Sequence, residues 1–171
     1  MPSEYPYTPN YYDENIWQLC KHPKFAALEK YVLIVSNEDR YCHLHHHGDG
    51  LVIWDYHVML LVKEATWVVY DLDSTLPLPS PLAPYVEKTF TSEEEKYLPR
   101  FLVIGAEDYV RRFNSDRSHM IDDQGNWKFT PPEWPMIKSN DPEYDLGSLI
   151  DFKAQAEQTI SIEALLERFQ D

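Results

Sequence analysis

Two apolar segments separated by a short polar break constrain the fold of this chain more than any other feature. The first segment covers residues 51–62, the second covers residues 67–73, and residues 63–66 lie between them. Apolar runs of this length, rich in Val, Ile, Trp and Tyr, are typical of buried strands, and the short break predicts a turn. We therefore predict a β-hairpin whose two strands lie inside a sheet.

The predicted hairpin brings an imidazole close to a carboxylate. With the turn centred near Glu64, His57 and Asp71 lie directly opposite each other, where Cβ atoms are about 4.5–5.5 Å apart. A histidine held by a carboxylate makes up two thirds of a catalytic triad. The alternative is a buried histidine that is bonded to an acid for structure alone. A second acid, Asp73, follows on the same predicted face and favours the catalytic interpretation.

Length and composition predict one folded domain, residues 1–171, with an extended lead-in at residues 1–10. A chain of 171 residues can bury a core without disulfides or metals. Hydrophobic residues make up 43% of it and aromatic residues 14%, as is typical of folded proteins. A helix that begins near Tyr12 or Asp13 precedes strands that pair locally. This order predicts an α+β fold.

The other segments predict shorter elements. We expect helices over residues 24–30, 85–90, 107–113 and 162–169, the last with Ser161 as its N-cap. We expect strands over residues 31–35 and 101–104, and irregular segments over residues 40–50, 74–84, 91–96 and 114–137.

Charge, cysteine content and hydropathy limit the partners and the cellular compartment that we expect for this chain. The formal net charge is −14, so the surface repels phosphate backbones and we expect no nucleic-acid partner. The two cysteines, Cys20 and Cys42, form no disulfide framework, which fits a reducing compartment. No apolar run approaches the roughly 18 residues that span a bilayer, and residues 1–10 lack a signal-peptide pattern. We expect a cytoplasmic or nuclear protein without membrane partners.

A histidine-rich segment is a second candidate site. It contains Cys42, His43, His45, His46 and His47. Structural zinc sites usually have two separated ligand pairs, whereas these ligands all fall in one predicted loop. We therefore predict a solvated loop with no metal and no cofactor. A metal-dependent enzyme that uses this loop is the alternative.

Two further acids are candidate binding residues. Asp55 falls inside a predicted strand, where a buried charge needs an arginine or a backbone amide as its partner. Asp116 falls in a polar stretch at residues 115–120. It either pairs with the neighbouring Arg117 or faces a cationic substrate, and the sequence leaves both possibilities open.

Several of these segments together resemble the family of protein N-terminal glutamine amidohydrolases. The resemblance covers residues 11–169 in order. It rests mainly on Trp-Asp-Tyr-His at 54–57 and Ser-Asp-Arg-Ser-His-Met at 115–120. Shorter matching stretches lie at residues 13–20, 35–38, 48–58, 70–77 and 125–127. On these residues the chain is identified as a member of the family.

The resemblance implies an activity, a fold and a site. The family deamidates glutamine at protein N-termini to glutamate and releases ammonia, which feeds an N-degron pathway. Its fold is similar to that of papain-like and transglutaminase-like cysteine enzymes, with a central antiparallel sheet and a nucleophile-bearing N-terminal helix. Its triad is Cys-His-Asp, and the family histidine and aspartate fall on His57 and Asp71. The implied partner is a protein or peptide that begins with glutamine, and we expect a monomer without a cofactor.

The chain departs from the family at the nucleophile. The family cysteine lies in a Tyr-Cys-Glu-Glu-Asn context, whereas residues 11–15 read Tyr-Tyr-Asp-Glu-Asn, so Tyr12 takes its place. A phenol has an ordinary pKa near 10 and a thiol one near 8.5, so the phenol is the weaker nucleophile. Its bulk also fills the place of the substrate amide. Cys20, about 12 Å further along the helix, and Cys42 are poor substitutes.

Two hypotheses follow for the function. The chain is an amidohydrolase with a changed residue at Tyr12, or it is an inactive member that binds peptide N-termini. In either case we expect an acid near the entrance of the site to attract the α-ammonium group of the substrate. The candidates are Asp55, Asp73 and Asp116. Restoring a thiol at position 12 is expected to restore turnover.

Overall fold

The computed structural model describes residues 4–171 and has an α+β architecture. Its strands are β1 Lys30–Ser36, β2 Cys42–His47, β3 Gly50–Trp54, β4 His57–Lys63, β5 Trp67–Tyr70, β6 Ser80–Pro81 and β7 Arg100–Gly105. Its α-helices are α1 Tyr12–Cys20, α2 Leu82–Thr89, α3 Ala106–Arg112, α4 Leu146–Leu149 and α5 Ile162–Arg168. Over the described residues, a five-stranded sheet has the order β6-β5-β4-β1-β7, and β2 pairs with β3 separately. All of these pairings are antiparallel, so the predicted α+β class and central antiparallel sheet are confirmed.

Strand β1 lies at the centre of the sheet because its sequence is an unbroken apolar run. It pairs with β4 on one side and with β7 on the other. Successive side chains of a strand point to opposite faces. Val32 and Ile34 therefore join one core, whereas Leu33 and Val35 join another. The sheet divides the interior into two cores.

Helices cover both faces of the sheet. Helix α1 begins at Tyr12, as predicted, and packs Ile16 and Leu19 into the first core. Its first turn carries acids, which the helix dipole favours at an N-terminus. Helices α2 and α5 pack into the second core, and the Ser161 side chain caps α5 by accepting a hydrogen bond from the Ala164 amide.

The predicted strand over residues 51–62 is wrong, because this run contains two strands. Strand β3 ends at Trp54, Asp55 and Tyr56 form a break, and β4 begins at His57. Asp55 is exposed and its Oδ1 accepts a hydrogen bond from the Tyr56 amide at 3.0 Å. The predicted backbone partner is confirmed, but the predicted strand interior is not. The apolar run concealed the break because both flanking strands are apolar.

The histidine-rich segment is a strand and not the predicted loop. Cys42 and Leu44 are buried, whereas His43 and His45 are partly exposed, which is the alternation of a strand with one buried face. The turn between β2 and β3 requires glycine at Gly48. Its φ is +54°, and an added Cβ would lie 2.8 Å from Cγ1 of Val52.

Most of the shorter predictions hold within a few residues. The strands over 31–35 and 101–104 and the helices over 85–90, 107–113 and 162–169 are confirmed. The helix over residues 24–30 is wrong, since a short 3-10 turn at Pro23–Phe25 leads into β1. The segment over residues 74–84 contains β6 and the start of α2, so it is not fully irregular.

Part of the predicted lead-in lies outside the described residues, namely residues 1–3. Residues 4–10 contain no helix or strand, and Tyr5 is buried in the first core. No helix within residues 4–171 combines the length and the apolar character that a membrane crossing requires.

Candidate active site

His57 and Asp71 meet, although not through the predicted register. Strands β4 and β5 pair Lys63 with Trp67 and Leu60 with Tyr70, so the turn is centred on residue 65 and not on residue 64. If the same register continues one residue beyond the pair Leu60 and Tyr70, Asp71 lies opposite residue 59, which is two positions from His57. A displacement of two keeps both side chains on one face. His57 Nε2 lies 2.8 Å from Asp71 Oδ1.

The Asp71 carboxylate receives four hydrogen bonds. Oδ1 accepts from His57 Nε2 at 2.8 Å and from the Asp73 amide at 3.0 Å. Oδ2 accepts from His47 Nε2 at 2.8 Å and from the Tyr85 hydroxyl at 2.5 Å. Burial opposes ionisation of Asp71, but the neighbouring imidazoles outweigh burial and hold its pKa well below the usual range. Asp71 is therefore a fully bonded, buried carboxylate.

His57 is oriented and keeps one nitrogen free. Its Nε2 faces Asp71, and within residues 4–171 its buried Nδ1 has no hydrogen-bond partner. Burial of the ring opposes the protonated form, but the charge of Asp71 outweighs burial and raises the pKa of His57. An imidazole held by a carboxylate with its other nitrogen free is the arrangement of a general base.

Tyr12 occupies the space next to the His57 ring. It is the first residue of α1, and its ring stacks on Trp54 with centroids 4.8 Å apart. The Tyr12 ring also contacts His57 edge to face, with centroids 4.8 Å apart. Burial, followed by the charge of Asp73, raises the pKa of Tyr12 far above neutral pH. The position therefore holds a neutral aromatic ring.

The two thiols are unsuited to replace a nucleophile at position 12. Cys20 is buried in the first core and Cys42 in the second. Burial raises the pKa of both thiols to about 12, so neither is a thiolate at neutral pH.

The three candidate acids differ in their burial and in their hydrogen bonds. Asp73 follows Asp71 closely, is partly buried and accepts a hydrogen bond from the Tyr7 hydroxyl at 2.5 Å. Burial raises the pKa of Asp73, although His57 opposes this rise. Asp55 is exposed in the break after β3. Asp116 lies in the 115–120 segment, where it accepts a hydrogen bond from the Ser118 amide at 2.9 Å.

Asp116 does not pair with Arg117, which was one of the two possibilities that the sequence left open. Arg117 instead forms a buried, two-bond ion pair with Glu14, at 2.8 and 3.0 Å. Glu14 lies in the first turn of α1, so this pair attaches the start of the helix to the 115–120 segment. Trp134 adds a third hydrogen bond to Glu14, at 3.1 Å from its indole nitrogen.

The histidine-rich strand does not gather its own side chains into a metal site. His43 stacks on Tyr97 with centroids 3.6 Å apart, whereas Cys42 points into the core. Over residues 4–171, the set that can hold a metal is His47, His57 and Asp71, whose donor atoms lie within 4.8 Å of one another. Hydrogen bonds of 2.8 Å already join both imidazoles to the carboxylate, so a metal at about 2.0–2.2 Å from each ligand must break them.

Sequence reasoning missed His47, Tyr85 and Tyr7 as neighbours of the two central side chains. Alternation along β2 would have placed His47 on the exposed side with His43 and His45, and the bulge at His46 is what turns it inward. No local pattern marks Tyr85, which reaches Asp71 from helix α2.

Comparison with known proteins identifies similar sequences over most of the chain. A family described as N-terminal glutamine amidase matches residues 7–169. The Bos taurus "Protein N-terminal glutamine amidohydrolase" is 40% identical over 157 residues, which cover 84% of this chain and 76% of that protein. The Homo sapiens protein of the same name is 39% identical, covering 84% and 77%. The Drosophila melanogaster one is 37% identical over 162 residues, covering 86% and 79%.

Proposed function

The chain belongs to the N-terminal glutamine amidase family, and from that premise we propose that its site is built to receive the N-terminal glutamine of a protein or peptide. The names of the relatives support this substrate class, since they are called N-terminal glutamine amidohydrolases. In that reaction the side-chain amide becomes a carboxylate and ammonia leaves. We propose a papain-like or transglutaminase-like arrangement, which the placement of the α1 start beside His57 supports.

We assign His57 and Asp71 the roles of acid–base group and orienting group. With a thiol at position 12, His57 Nδ1 takes the thiol proton and the sulfur attacks the amide carbon. Backbone amides at the start of α1 stabilise the oxyanion. His57 then protonates the leaving ammonia, and water hydrolyses the thioester to give glutamate and the free thiol. The hydrogen bond of 2.8 Å and the free Nδ1 support these roles.

Tyr12 favours the second of the two hypotheses for this chain. Its ring lies against His57 in the place that the family resemblance gives to the nucleophile, and Nδ1 of His57 has no partner among the described residues. A neutral phenol does not attack an amide at a useful rate, and the buried thiols are elsewhere. We therefore propose that the chain as it stands binds N-terminal glutamine peptides without hydrolysing them, and that the Tyr12 ring keeps the side-chain amide out of the place beside His57.

We assign the α-ammonium group of the peptide to Asp73. Of the three acids, Asp73 is the one joined directly to the Asp71 segment, and its charge acts on both Tyr12 and His57. A partly buried carboxylate attracts an ammonium group more strongly than an exposed one, because water screens it less. We also propose a cytoplasmic or nuclear location, which the two free cysteines support.

An ammonia-release assay with a peptide that begins with glutamine tests the proposal. The unchanged protein is expected to be silent, and Tyr12→Cys to release ammonia at least about 10³-fold faster. Tyr12→Ala is the matched control, because it removes the same ring without supplying a thiol, and it should stay silent. Turnover of the unchanged protein that disappears in Cys20→Ala or Cys42→Ala would overturn the assignment of position 12. Turnover that a chelator abolishes would instead favour the metal-dependent alternative.

A binding titration tests the second half of the proposal. Peptides that begin with glutamine should bind the unchanged protein more tightly than those that begin with alanine. Acetylation of the peptide amine, or Asp73→Asn, should weaken binding, whereas Asp116→Asn should leave it unchanged. Equal binding of glutamine and alanine peptides would rule out a binding module for this substrate.

A further inference from the structure

His47 is a second imidazole buried beside the first, and it contacts an acceptor at each ring nitrogen. Its Nε2 lies 2.8 Å from Asp71 Oδ2, and its Nδ1 lies 2.8 Å from the carbonyl oxygen of His45. The side chain is fully buried. The proposed triad assigns this residue no role.

The hydrogen bonds of His47 fix where its protons are. A carbonyl oxygen only accepts, so Nδ1 must donate to His45. Oδ2 of Asp71 also accepts, because it receives the Tyr85 hydroxyl and belongs to a strongly acidic carboxyl group. Nε2 must therefore donate as well. A histidine that donates from both nitrogens is an imidazolium.

We infer that His47 is a positioning residue which, as an imidazolium, compensates the charge of Asp71 and so favours the neutral form of His57 with Nδ1 free. The inference deepens the proposed function, since His57 must be neutral to accept a proton. The two imidazole centroids lie 5.2 Å apart. At that distance a cation on His47 disfavours a second cation on His57.

A bulge in β2 places His47 in the buried position. The register of β2 and β3 shifts between His45 and His47, and His46 has a φ of +61°. An extra residue at a bulge changes which way the next side chain points. The amide and hydroxyl of Thr75 donate to the His46 carbonyl at 2.7 and 3.1 Å. The segment after Asp71 therefore holds the bulge in place.

The other groups near the two rings do not supply the compensating charge. Asp73 is anionic or neutral, while Tyr12 and Tyr85 are neutral phenols whose pKa values burial raises. Trp54 packs against both imidazoles with centroids 5.0 and 5.4 Å away, and it carries no charge. Among the residues described around Asp71, His47 and His57 are the two groups that can carry a balancing positive charge, and His47 is the one whose two acceptors both require a proton.

Nitrogen-15 NMR of the histidine rings in the unchanged protein tests the inference directly. At pH 7.5 we expect the His47 ring to carry hydrogen on both nitrogens, as its two acceptors require, and the Nδ1 of His57 to be protonated less than that of His47. A neutral His47 ring at this pH would overturn the inference. So would a zinc titration that shifts both rings at stoichiometric metal, because the pair would then be a metal site.

A substitution tests the influence of one ring on the other. His47→Gln keeps a donor for Asp71 but removes the charge, so the proton affinity of His57 should rise about tenfold in the NMR titration. His45→Gln is the matched control and should leave His57 unchanged, since the neighbouring carbonyl and not the His45 ring contacts His47. An unchanged His57 titration in folded His47→Gln would contradict the inference. Ring protonation is read without turnover, so this outcome is independent of whether Tyr12→Cys releases ammonia.

Discussion

The two halves of the candidate site are held together by different forces. The acid–base half, which is His47, His57, Asp71 and Tyr85, is joined by charge-assisted hydrogen bonds of 2.5–2.8 Å. The nucleophile half is the start of α1 with Tyr12, whose ring is held by aromatic contacts at 4.8 Å. Directional bonds fix the first half by itself, so the residue at position 12 can change without disturbing it.

The halves also differ in how their buried acids respond to pH. The pKa of Asp71 is lowered on folding, so its stabilisation is present above the unfolded value near 3.9 and is lost as pH falls below it. Burial, followed by the charge of Glu14, raises the pKa of Asp13 to about 7. The folded chain therefore holds an extra proton on Asp13 between about pH 4 and 7, and stability decreases as pH rises through that window.

Asp71→Asn should break the acid–base half with the largest effect. The amide cannot accept four hydrogen bonds, and it leaves the buried His47 ring without its carboxylate. We expect a loss of roughly 3–5 kcal/mol in the free energy of unfolding, measured by urea denaturation at pH 7.5. Asp55→Asn is the matched control and should change stability by less than about 0.5 kcal/mol, because Asp55 is exposed. Equal effects in the two variants would show that the hydrogen bonds around Asp71 do not hold this half.

Asp13→Asn should act in the opposite direction on the nucleophile half. It removes the group that must ionise in a buried position, so the variant should be more stable than the unchanged protein by on the order of 3 kcal/mol at pH 8. The difference should shrink steadily as pH falls to 4.5. Urea denaturation across this range measures it, with the exposed Asp39→Asn as the control that follows the unchanged protein. A gain that is the same at every pH would contradict ionisation of Asp13 as its source.

Tyr12 variants should give the smallest effects and sharpen the contrast. Tyr12→Cys removes ring contacts with Trp54 and His57, and we expect a loss of about 1–2 kcal/mol. Tyr12→Phe keeps the ring, and the Tyr12 hydroxyl has no hydrogen bond within residues 4–171, so its change should stay within about 0.5 kcal/mol. Thermal unfolding of the three proteins measures both. A large loss in Tyr12→Phe would mean that a polar contact holds this half too.

The sequence predicted the elements that carry the central pair but not their full surroundings. Apolar runs mark β1, β4 and β5, and the acids at the start of α1 mark its beginning, because burial and the helix dipole act locally. The register between β4 and β5 was two residues wrong, yet His57 and Asp71 still share a face because side chains alternate with period two. An error of one residue would have separated them.

Contacts that join distant segments were not predictable from the sequence. Glu14 and Arg117 are separated by 103 positions, and no local pattern links them. His47 depends on a bulge at His46, and bulges follow from how two strands pair rather than from one strand's composition. Tyr12 was noticed only through the family resemblance, since a tyrosine at the start of a helix violates no local rule.

The division of the interior into two cores also governs sulfur chemistry. Cys20 and Cys42 lie on opposite faces of the sheet, so a bond of about 2.05 Å between them requires the sheet to separate. Both are shielded from maleimide-type reagents while the chain is folded. In the Tyr12→Cys variant, a third sulfur stands at a half-buried helix start. Mass spectrometry after alkylation then counts one adduct on the folded variant and three on the unfolded one, which makes cysteine labelling a direct readout of global opening.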